Sequence, residues 1–160
     1  GVGDFVSALH RLGLFYGDEG RHDDSRVVME EALSVSREEL GSETYFAVMS
    51  QVYLADQLTL TGALGQAQAI LTELEGSLVQ VFRSSQHWRH ARNHAALGRC
   101  LDLLGDVETA EKILLDGYAA LRRAEPMDEG STQEVLSWLI DHFQRVDKPE
   151  QVRRYQLLQD

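Results

Sequence analysis

Residues 97–118 read LGRCLDLLGDVETAEKILLDGY. Five positions set an order: Leu97, the small Gly98 beside it, Leu101 three further on, Gly105 four after that, and Ala110 five beyond. Apolar positions three and four residues apart mark one face of a helix, and a glycine after the last of them is a helix stop. The stretch therefore predicts two helices folded about a tight turn.

The same order returns three more times. It runs Leu12, Gly13, Tyr16, Gly20, Ser25, then Leu54, Ala55, Leu58, Gly62, Ala67, and, downstream, Leu139, Ile140, Phe143, Asp147, Val152. The turn positions 20, 62, 105 and 147 are separated by 42, 43 and 42 residues. A fixed period of this size is the signature of stacked helical hairpins. Helical spacing is visible throughout, as in Phe5, Leu9, Leu12 and Tyr16 or Ile70, Leu74, Leu78 and Val81, and strand-like alternation is nearly absent. Breaks at Gly20, 41–43, Gly62, 84–86, Gly105, 125–131 and 147–149 predict eight helices in four pairs, with repeats at approximately 4–40, 44–84, 87–124 and 131–158 of a single domain.

This pattern resembles the tetratricopeptide repeat across essentially the whole chain, most closely in the third copy. The period exceeds the usual ~34 residues by about two helical turns, as in the long-helix variety of kinesin light chains and of many bacterial signalling proteins. The fourth copy departs from it, with Ile140 at the small position and Asp147 for the turn glycine. Residues 91–155, ending in DKPEQVRRY, resemble the C-terminal repeats of bacterial serine/threonine protein kinases. No kinase motif is present in the sequence: it has no glycine-rich phosphate loop, no HRD and no DFG. The resemblance implies an all-α, right-handed solenoid of four antiparallel hairpins whose first helices line a concave groove.

Composition narrows the function classes. A chain of 160 residues, 43% hydrophobic and 26% charged, can build one cored domain. The net charge of −11 opposes nucleic-acid phosphates and anionic lipid, so neither nucleic acid nor membrane is an expected partner. No apolar run approaches the ~20 residues of a membrane span. The lone Cys100 excludes an internal disulfide and fits a reducing compartment, here expected to be cytoplasmic. The abrupt GVGDF start suits a fragment of a longer protein.

The richest local chemistry lies in QHWRHARNHAALGRC, residues 86–100. His87, His90 and His94 share a helical arc with Leu97 and Leu101, which predicts that they continue the buried stripe. His90 and His94 have the spacing of two ligands to one zinc, but no third ligand type joins them, and from Gly76 to Leu101 there is no acid at all. Neither a metal nor another cofactor is expected, and no catalytic role, because no nucleophile or orienting acid accompanies the histidines. Trp88, Arg92, Ala95 and Arg99 occupy a second arc, roughly opposite. Four arginines give 76–101 a charge of +4, against −15 elsewhere.

In the resemblance, Arg92 and Arg99 fall at groove-lining positions, with His10, Asp56 and Asp141 at groove positions of the other repeats. The set of Lys and Asn that clamps a C-terminal carboxylate in chaperone-binding members is absent. Two uses of the basic band follow. Either the arginines pair with acids of neighbouring repeats, such as Asp56 or Asp141, or with Asp102 one turn on, or else Trp88 anchors and the arginines read an acidic or phosphorylated partner. The expected function is a protein-binding scaffold within a bacterial signalling protein, not an enzyme. The alternatives are a homo-oligomerising module, suggested by the apolar flank around Phe5 and Val6, and, distantly, a metal-dependent enzyme built on His87, His90 and His94.

Overall fold

The computed structural model describes residues 1–159 and contains eight helices: α1 (Val2–Asp18), α2 (His22–Glu39), α3 (Tyr45–Leu60), α4 (Leu64–Val81), α5 (Trp88–Leu104), α6 (Val107–Arg123), α7 (Glu129–Arg145) and α8 (Pro149–Gln156). No strand occurs among the described residues. The helices form four hairpins, two in each of two compact units, residues 1–81 and residues 82 onward. None is long and apolar enough to cross a membrane.

The hairpin turns are made where the repeat order places them. Gly20, Gly62 and Gly105 have φ of 75°, 84° and 96°, and Asp147, at the same position of the fourth copy, has φ 55°. That left-handed conformation costs glycine nothing and is tolerated by a short polar residue. The fourth copy thus differs in identity but not in backbone conformation. Elsewhere caps close the ends: Thr44 Oγ1 accepts from Ala47 N, and Asp128 Oδ2 accepts from Ser131 N.

Within each unit the first helix of a pair packs on its second, and the next pair leans on both. Thus α3 contacts α1, α2 and α4, and α7 contacts α5, α6 and α8. Close approach inside a hairpin depends on small residues. A Cβ at Gly13 would lie 2.5 Å from Met29 Cε, one at Gly98 2.9 Å from Ile113 Cγ2, and one at Gly117 2.8 Å from Ala95 Cβ. Helix meets helix over these positions, not over the adjacent leucines.

This shifts the core from the expected stripe. Leu54, Leu58, Leu139 and Phe143 are buried, each worth about 1.5–3 kcal/mol of transfer free energy. Leu97, Leu101 and Tyr16 are only half-buried, and Leu12 is 41% exposed. On α3 and α7, which pack on the preceding pair of their own unit, the leucine of the repeat, Leu54 and Leu139, is buried.

The histidines are likewise not in the core. His87, His90 and His94 are half-exposed, whereas α5 turns Ala91, Ala95, Gly98 and Asp102 inward. The arc of small residues, about 80° from the histidines, is the one that admits α6. Ala95, expected to share an outward face with the arginines, is fully buried.

Candidate functional site

The basic band sits on α5, and α7 supplies what faces it. Arg92 donates from Nε to Glu134 Oε1 at 2.9 Å, with its side chain only 12% exposed. The Arg92 and Arg99 guanidinium carbons lie 5.5 Å and 4.9 Å from the ring centroid of Trp138. Trp138 is itself buried. Guanidinium over an aromatic face is a favourable cation–π arrangement, and it holds the planar group in a fixed orientation. Arg92 therefore pairs with an acid of the fourth copy, Glu134. Asp141 stays exposed on α7.

Trp88 opens α5, half-exposed, with the Arg89 guanidinium 4.4 Å from its centroid. His87 is the N-cap: its Nδ1 accepts from Arg89 N at 3.2 Å, and its ring stacks between Phe82 at 4.4 Å and Trp88 at 5.6 Å. Burial, then the charges of Arg89 and His90, push the His87 pKa down, which favours the neutral ring that a cap acceptor requires. His90 donates from Nε2 to the Phe82 carbonyl at 2.7 Å. Two of the three histidines thus tie the α4–α5 connection to the start of α5. Among the described residues, no group of three or more His, Cys, Asp or Glu side chains is placed to hold a metal ion.

In the first unit, His10 is buried against α3. Ser50 Oγ gives its one proton to the Phe46 carbonyl at 2.8 Å, so His10 Nε2 is the donor in its 2.7 Å bond to Ser50 Oγ. Burial lowers the His10 pKa to about 4. Its ring meets Tyr53 edge-on at 5.1 Å. Asp56 lies half-exposed one turn on. His10 and Asp56 therefore belong to one unit, and Trp88, Arg92, Arg99 and Asp141 to the other.

Sequence reasoning passed over Trp138, although a signal existed. Counted by the repeat, Trp138 stands where Tyr53 stands in the second copy, and each ring meets a basic side chain of the first helix before it. Also passed over was a buried charge network. His142 is wholly buried, with Nδ1 2.9 Å from Asp102 Oδ1 and Nε2 3.0 Å from Glu111 Oε2. Arg145 bonds Asp102 Oδ2, and Lys148 Nζ reaches both oxygens of Glu111 at 2.9 Å. The His142 bond holds the Glu111 carboxyl below its ordinary pKa; burial opposes it, and Lys148 adds to the lowering. Both imidazole nitrogens are engaged by carboxylates, so neither is left to activate a nucleophile. The network joins α5, α6, α7 and the α7–α8 turn.

No protein-family model and no curated protein matches the chain. Solved structures do. BtubC (BKLC) from P. vanneervenii superposes with a TM-score of 0.76 over 97% of this chain and 61% of its own, at 18% identity. A Podosopora anserina protein described as a kinesin light chain with nearly identical TPR-like repeats gives 0.72 over 94% of this chain and 71% of its own, also at 18% identity. A singly substituted form of that protein gives 0.71 over 94% and 70%, at 17% identity. This chain spans 61% of the length of BtubC. The fold is that of TPR-like repeats.

Proposed function

We propose that the chain is a protein-interaction scaffold, and that the α5–α7 face takes an acidic or phosphorylated segment of a partner protein. The observation carrying this reading is the pair of guanidiniums, Arg92 and Arg99, set against one indole, that of Trp138. Aromatic and Arg side chains dominate binding hot spots, and a guanidinium oriented by a ring presents its N–H groups to a carboxylate or phosphate at low entropic cost. Trp88 and Arg89 extend the same chemistry to the start of α5. An incoming anion would compete with Glu134 for Arg92.

The finer assignment, a docking or regulatory region of a bacterial signalling protein of the serine/threonine kinase type, is supported by the resemblance of residues 91–155 to such repeats. It makes phosphorylated segments the first ligands to try.

Fluorescence anisotropy with Glu-rich and phosphoserine peptides tests the site. Binding should weaken as salt rises. Arg99→Glu together with Arg92→Glu should cost about 2–4 kcal/mol of affinity. Because Arg92 is largely covered and faces Glu134, its reversal also strains the fold, so Arg99→Glu alone is the diagnostic variant. Undiminished binding by Arg99→Glu would leave the basic band as internal charge balance and sink the proposal.

A further inference from the structure

The His142 ring is wholly buried on α7, and each of its nitrogens faces a carboxylate oxygen. Nδ1 stands 2.9 Å from Asp102 Oδ1 of α5, and Nε2 stands 3.0 Å from Glu111 Oε2 of α6. A neutral imidazole offers one N–H and one lone pair, whereas an ionised carboxylate can only accept. Both contacts are hydrogen bonds only when both nitrogens carry a proton. The neighbours leave no other place for it. Asp102 Oδ2 is taken by Arg145, and Lys148 Nζ, from the N-cap residue of α8, reaches both oxygens of Glu111 at 2.9 Å. The bond from His142 holds the Glu111 carboxyl below its ordinary pKa, so that carboxyl is ionised. Arginine and lysine only donate. Of these five side chains, the histidine alone changes role near neutral pH.

We propose that the folded protein holds His142 as an imidazolium cation, and that loss of one of its protons unlatches α7 from α5 and α6. Without that proton a nitrogen lone pair faces a carboxylate in a site closed to water, and one of the two bonds becomes a repulsion. Because the fold favours the charged ring, the stability that the joint lends is complete below about pH 6.5, the ordinary imidazole value, and is lost as pH rises beyond it. The repeat itself does not demand a titratable group here. Counted by the repeat, the second copy has the buried Gln57 where the fourth has His142, and the first has Gly17 where the third has Asp102. Gln57 is an uncharged amide, with Oε1 3.0 Å from His22 Nδ1. Glu134 and Trp138 ride on α7 with His142, so unlatching also loosens their contacts with Arg92 and Arg99, and binding there becomes proton-linked. That last step rests on the function proposed above; the joint does not.

Nitrogen-15 NMR of the imidazole rings, together with amide exchange along the chain, tests this between about pH 6.5 and 9. At the lower end both ring nitrogens of His142 should be protonated. As the ring loses a proton on raising the pH, protection of α7 amides relative to those of α3 should fall by about tenfold, the worth of one hydrogen bond to a charged group. His142→Gln, whose amide donates at one end only, should show the weaker α7 protection at every pH. Asp102→Asn, whose amide can donate to a neutral ring nitrogen, should abolish the pH response whatever its overall stability. None of these readouts needs a ligand, so the joint and the binding face fail separately. A His142 ring with a single protonated nitrogen at pH 6.5 overturns the proposal. So does an α7-to-α3 ratio that stays constant over the range in the parent, or a parent-like fall with pH in either variant.

Discussion

His142 of α7 lies with Nδ1 2.9 Å from Oδ1 of Asp102 on α5, and both side chains are sealed from water. With Glu111 on the other ring nitrogen, this histidine is the joint between the third and fourth hairpins. Removing His142 takes one bond from the buried Asp102, which keeps Arg145, and one from Glu111, which keeps Lys148, and opens a space in the core, which together cost about 2–4 kcal/mol. His142→Ala should lower stability by that order in urea unfolding. Amide exchange should quicken in α7 and α8 and remain as in the parent in α1 and α2, since stacked repeats feel mainly their neighbours. A loss spread evenly over all eight helices would contradict the joint.

Acid should destabilise the protein in two steps. The folded pKa of His10, about 4, lies below the ordinary value of 6.5, so the unfolded chain takes up that proton first. The stability it contributes is complete above pH 6.5 and is lost as pH falls from there toward 4. Glu111 is also depressed, from an ordinary 4.5, so its contribution is lost lower, as pH falls through its folded value. Thermal melts from pH 6.5 downward should show a falling midpoint, and His10→Gln should flatten the slope between 6.5 and 4 specifically. An unchanged slope in that variant would mean that the buried ring does not titrate with folding.

Two helical glycines should respond with opposite sign to alanine. At Gly98 an added Cβ would stand 3.1 Å from Leu114 N, a backbone atom that cannot swing aside, so Gly98→Ala should cost about 1–3 kcal/mol. At Gly76, in α4, nothing lies within 4 Å, and Gly76→Ala should stabilise by about 0.4–1 kcal/mol through helix propensity and a less entropic unfolded chain. Denaturant midpoints measure both.

The repeat order made the helices and turns legible because a hairpin period is written in glycines and apolar spacing, both local. The four left-handed turn residues stand where the period puts them. Which side of each helix is buried was less legible. Leucine is the larger apolar residue of the Leu97–Gly98 pair, but backbone proximity is decided by the smaller one, and the core follows Gly98 and Ala95. In the site, Arg92 and Arg99 were visible as a basic band in an acidic chain. Trp138 and Glu134, which meet them, lie about 40 residues away, and only a side-chain position in space brings Glu134 to Arg92.

The last prediction concerns α8. It is the shortest helix, eight residues with none buried, and its N-cap makes no side-chain hydrogen bond. What holds it is Tyr155, stacked on Phe143 at 5.4 Å and edge-on to Tyr118 at 6.2 Å, with Lys148 on Glu111 at the turn. Burial pushes the Tyr118 hydroxyl pKa up, as expected for a ring partly withdrawn from water. Local opening is easiest where few apolar contacts must be given up. Amides of residues 147–159 should therefore exchange faster than those of 91–123, and Tyr155→Ala should widen the gap by raising exchange in α8 while leaving α5 and α6 near the parent's. Equal protection of the two segments in the parent would show that the ring contacts alone anchor α8 as firmly as a buried face.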